Sequence, residues 1–126
     1  MQRVLERELG CPPVGEEVYG YPEIPSLLRL KNSLTAAPRR GADVLETLLK
    51  RESFDLIWMS LSAAHLGGHR FFDIACLPEE LALPRYPELG NALQDIYRAV
   101  DDALGRIIAA LPKDTDVIIT SPTGMP

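Results

Sequence analysis

At 126 residues, 46% of them apolar, the chain has the material for one domain with a substantial core. Its net charge of −5 argues against nucleic acid as a partner, because a phosphate backbone calls for Lys and Arg clustered on one face. No apolar run approaches the ~20 residues of a membrane span, and the start from Met1 to Leu9 is too charged for a signal peptide, so no membrane partner and a cytoplasmic address are expected.

In chain order, residues 1–9 read as a short helix with Val4, Leu5 and Leu9 on one side, stopped by Gly10 and Pro12-Pro13. Gly15 to Pro25, rich in Gly, Pro and Glu, suits an irregular connection. Leu27, Leu28, Leu30 and Leu34 then predict a helix that starts after Ser26 as N-cap and stops before Pro38. A second helix is predicted from Gly41 to Arg51, with Val44, Leu45, Leu48 and Leu49 at helical spacing and Lys50-Arg51 suiting the negative end of its dipole. The run 54–61 is apolar at both odd and even positions and reads as a central strand buried on both sides.

Residues 62–87 read as a long loop around Gly67-Gly68, Pro78, Pro84 and Pro87, packed down by Phe71 and Phe72. Leu89, Leu93, Ile96, Val100, Leu104, Ile107 and Leu111 recur at three and four residues, predicting an amphipathic helix over 89–111 that faces a sheet. Val117 to Thr120 predicts a second short buried strand. Strand, long helix and strand make a right-handed crossover, so the expected fold is a single α/β domain over 1–126, a mostly parallel sheet flanked by helices. Cys11 and Cys76 are isolated and read as reduced thiols.

His65 and His69 are the only histidines, four residues apart around the glycine pair and directly after the predicted strand 54–61. A sheet presents metal ligands in this way, at its carboxyl edge. Neutral imidazole is the commonest metal ligand, and catalytic zinc takes three protein ligands and an open position. The candidate metal ligands are therefore His65 and His69, with at least one ligand missing; no catalytic residue is assigned.

Three ordered blocks carry a family resemblance. They are Phe54 to Asp73, including His65 and Gly68-His69; Tyr97 to Arg106, including Val100-Asp101 and Leu104-Gly105-Arg106; and Asp116 to Met125. Together they resemble the type I phosphodiesterase and nucleotide pyrophosphatase branch of the alkaline phosphatase superfamily. The resemblance implies a mostly parallel sheet between helical layers, zinc as cofactor, and a phosphate ester or nucleotide-type small molecule as substrate. In it His69 falls on the Gly-His zinc ligand and His65 on a position where many members have Asp. Pro122 and Thr123 fall on the usual Asp and His of the last block, so those two ligands are replaced, and no nucleophile block is recognisable. The chain is thus expected to be a partial domain of this lineage that binds zinc weakly and does not turn over substrate in isolation. Two alternatives stand beside a hydrolase: a non-catalytic interaction or binding module of the same lineage, and an unrelated α/β binding domain whose histidines cap a loop.

Overall fold

The structure, a computed structural model, describes residues 23–72 and 87–121. Helix α1, Ile24–Leu49, begins on an extended Glu23 with Pro25 in the first turn, where a missing N–H removes no helical bond. Ser26 is inside this helix rather than capping it, and its hydroxyl accepts a hydrogen bond from Arg29.

The helix passes through Pro38 without a break, merging the two predicted helices. Leu34, Pro38, Ala42 and Leu45 are all buried, so one helical stripe continues across the proline. An interior proline costs ~3 kcal/mol locally, and here burial of that stripe outweighs it. In the preceding turn the Thr35 hydroxyl donates to the carbonyls of Lys31 and Asn32.

Among the described residues three further helices follow: α2, Ala63–Phe71; α3, Pro87–Gly90; and α4, Ala92–Ala110. The predicted helix over 89–111 is thus present as α4, but it packs on α1 and α2 rather than on a sheet. Helices α1 and α4 run parallel, because Lys31 pairs with Asp95 at 2.7 Å while Arg106 reaches Asp43 at 2.7 Å and Glu46 at 2.9 Å. The line buried on α4 is Ala92, Ile96, Ala99, Ala103 and Ile107. Alanine at its centre lets two helix backbones approach closely, and the larger Leu93, Val100 and Leu104 flank the contact half-buried.

The core falls in two parts. Ile24, Leu27, Leu34, Ala63, Phe71, Leu89, Ala92 and Ile96 form one, where α1, α2 and α4 meet. Ala42, Leu45, Ala103 and Ile107 form the other, towards the carboxyl ends of α1 and α4.

Among the described residues there is no strand and no sheet, which overturns the expected α/β fold with a mostly parallel sheet. The runs 54–61 and 117–120, read as buried strands, carry no regular structure, and no backbone hydrogen bond ties either to another described segment. An apolar run becomes a strand only when a neighbour takes its backbone groups, and neither run has one among the described residues. Residues 54–61 still alternate. Ile57 and Leu61 are half-buried against the second core, and Met59, 39% exposed, still lies over Gly41, while Leu56 and Trp58 stand out in solvent. The predicted helix over 1–9, Cys11, Cys76 and Pro122 to Met125 lie outside the described residues.

Candidate functional site

The histidines sit on a helix, not on a loop at a sheet edge. Residues 63–71 form α2, so His65 and His69 are one turn apart on the same face. Two glycines inside a nine-residue helix cost ~1 kcal/mol each in helix propensity. The expense has a packing reason: both are buried, and a Cβ on Gly67 would come within 2.9 Å of Ile96 Cδ1 and 3.2 Å of its Cγ2. Gly67 therefore lets α2 come down onto α4, and both glycines are part of a helix rather than of a loop. Phe71 is buried with them, whereas Phe72, expected to pack as well, is 68% exposed.

The two imidazoles are exposed and touch each other. Their Nε2 atoms are 3.1 Å apart, and their rings meet edge to face with centroids at 4.4 Å. The tautomers of the two rings set which nitrogen donates in this contact. Among the described residues no group of three or more His, Cys, Asp or Glu side chains is placed to hold a metal. The expected metal-binding hydrolase centre is corrected accordingly: the structure offers two ligands, where a catalytic zinc site takes three and the implied family uses two metals. The convergence of the histidines with the last family block involves residues outside those described, apart from Ser121.

A shallow polar groove lies between α1 and α4, lined by Lys31, Thr35, Arg39, Asp95, Arg98 and Asp102 among others. Asp95 takes Lys31 at 2.7 Å and Arg98 at 3.9 Å, and Asp102 and Arg39 line the same groove, so its charge is mixed rather than uniformly cationic. Further along, Glu46 and Asp43 both accept from Arg106 and hold its guanidinium above its ordinary range. That contact clamps α1 to α4.

The feature that sequence reasoning missed is the uncovered apolar surface. Trp58 is 91% exposed, Leu56 78%, Ile118 87% and Ile119 65%. Their composition gave no sign of this, since a run that faces solvent and a run buried between layers spell the same way. Among the described helices none is long and apolar enough to cross a membrane. Compared with known proteins, the chain matches no family, no curated protein and no solved structure.

Proposed function

We propose that this chain is a non-catalytic interaction module that docks an extended polypeptide against residues 54–61 and the exposed apolar run 117–119. One observation carries the reading: Leu56 and Trp58 stand in solvent on a stretch whose alternate residues are anchored to helices and whose backbone has no hydrogen-bonded neighbour among the described residues. Unpaired backbone groups in a period-two segment recruit another strand, and exposed apolar side chains supply pockets and area for it. The resemblance to phosphodiesterases implies a sheet that the described residues do not form, so it carries no part of this reading.

Selection of binders from a displayed library of extended peptides tests the docking. Trp58 is the only tryptophan, so its emission reports the surface directly. A selected peptide should shift that emission to the blue and lose affinity for Leu56→Glu; binders indifferent to that substitution would refute the reading. Turnover of a chromogenic phosphodiester with added zinc, abolished by a chelator and by His69→Ala, would refute its non-catalytic part.

A second reading concerns zinc alone. Ligand bonds of 2.0–2.1 Å at a tetrahedral angle place two nitrogens roughly 3.3–3.4 Å apart, close to the 3.1 Å between His65 Nε2 and His69 Nε2. We propose weak two-ligand chelation there, with water in the remaining positions. Calorimetric titration with zinc should show heat that is lost in both His65→Ala and His69→Ala; binding that survives either change places the ion elsewhere.

A further inference from the structure

We propose that His65 and His69 form a clasp by which a divalent late transition-metal ion, copper(II) ahead of nickel(II) and zinc, holds α2 helical and so stabilises the fold. This rests on the two-ligand chelation reading and adds to it the choice of ion and the consequence of its binding.

Helix α2 has little of its own to hold it. It is nine residues long and includes Gly67 and Gly68, the Ser62 side chain makes no capping hydrogen bond, and its first turn carries no acidic residue. So short a helix depends on packing, which Ala63, Gly67, Gly68 and Phe71 supply on its buried face. His65 and His69 are exposed, one turn apart, and bracket the glycine pair. An ion shared by the two rings therefore spans the turn in which the glycines weaken the helix.

Binding favours the folded form because the helix has already brought the ligands together. Their Nε2 atoms stand 3.1 Å apart. In the unfolded chain the same rings hang on a glycine-containing segment with many conformations, and gathering both onto one ion costs backbone entropy that the helix has already given up. The ion thus binds the folded chain more tightly and shifts the equilibrium towards it. Each neutral ring keeps its proton on Nδ1 and gives the ion its Nε2 lone pair. The ring-to-ring hydrogen bond is exchanged for two metal–nitrogen bonds as two coordinated waters leave, with no net release of protons.

The choice of ion follows from what the pair does not impose. Bonds of ~2.0–2.1 Å to nitrogens 3.1 Å apart subtend roughly 95–102° at the metal, between the right angle of a tetragonal site and the tetrahedral angle. Small rotations of exposed rings reach either. With no third His, Cys, Asp or Glu ligand among the described residues to set a geometry, affinity follows the general order for nitrogen ligands, in which copper(II) exceeds nickel(II) and zinc.

The test uses the full chain carrying Cys11→Ser and Cys76→Ser, so that thiols neither bind nor reduce copper. Calorimetry should give copper(II) the lowest dissociation constant of the three ions. Thermal melting followed by helical circular dichroism, with each ion at about 100 times its dissociation constant, should show the folded-to-unfolded ratio rising roughly 10-fold or more. His65→Ala and His69→Ala, both at exposed positions, should melt like the parent without metal and lose the rise. The double change His69→Ala/Arg70→His keeps two imidazoles in the segment but five residues apart, off a shared helical face, and should also show no rise. A rise in that double variant equal to the parent's, a rise that persists in either single variant, or zinc binding more tightly than copper(II) would each overturn the proposal. Binding that needs both histidines yet leaves the melt unchanged removes the clasp and leaves two-ligand chelation standing; no binding of any of the three ions removes both.

Discussion

The pair α1 and α4 and the stretch 54–61 are built from similar apolar residues and end in opposite environments. Ile96 is wholly buried at the meeting of α4 with α1 and α2, while Trp58, larger and as apolar over most of its surface, stands in water. The difference lies in what each can finish alone. A helix satisfies its own backbone and needs only one apolar stripe covered, which a second helix supplies. A period-two segment needs neighbours for its backbone and cover for two faces; 54–61 finds cover for one. Hydrophobicity decides that a residue gains by burial, and local topology decides whether burial is on offer.

The largest test of this contrast is Ile96→Ala. Removing a side chain that is fully enclosed and that supports Gly67 of α2 should cost ~2–5 kcal/mol, the range for truncating a buried aliphatic residue, measured as a lower urea midpoint at unchanged slope. A cost under ~1 kcal/mol would mean the packed half is as loosely held as the uncovered one.

Two glycines sharpen the same contrast with opposite signs. Gly105 on α4 has open space where a Cβ would stand, so Gly105→Ala should stabilise by up to ~1 kcal/mol through helix propensity alone. Gly67→Ala receives the same propensity gain but drives a methyl into Ile96, and overpacking costs ~1–3 kcal/mol, so the net change should be destabilising. Thermal melts of both variants against the parent check the sign; stabilisation by Gly67→Ala would remove the packing reason for the glycine.

The helices were legible in the sequence where periodicity alone settles them, as over α4. Pro38 misled because local cost was weighed without the buried stripe it belongs to, and Gly67-Gly68 misled because glycine marks both flexible loops and close helix contacts. His65 and His69 were picked out by spacing, and that spacing does bring them together, but on a helical face that adds no third ligand among the described residues. Composition alone points to strands over 54–61 and 117–120, and it cannot reveal that among the described residues no neighbour takes their backbone bonds.

Arg106→Gln probes the join between the two halves of the helix pair. It removes the donor shared by Glu46 and Asp43 and should lower the melting temperature modestly, since the guanidinium is partly solvated and such pairs are screened. Because these carboxylates raise the folded-state value of Arg106, its contribution is complete below its unfolded value and is lost only in strongly alkaline solution. The destabilisation should therefore be the same at neutral and at mildly alkaline pH. A loss that disappears between those two conditions would show that another group carries it.

The smallest expected effect discriminates most. In a strand buried between two layers, truncating or polarising a tryptophan costs ~3–5 kcal/mol, because a cavity and a lost transfer energy add. Trp58 is 91% exposed, so in the monomer Trp58→Gln removes almost no buried area and leaves no cavity. Its effect on unfolding at concentrations where the chain is monomeric should stay within ~0.5 kcal/mol, like other solvent-facing changes. Ile57→Ala, at a residue half-buried against the second core, is the internal control and should cost more than Trp58→Gln despite removing less. If the order reverses in dilute solution, residues 54–61 are covered on both faces by this chain itself, and the surface assigned to a partner does not exist.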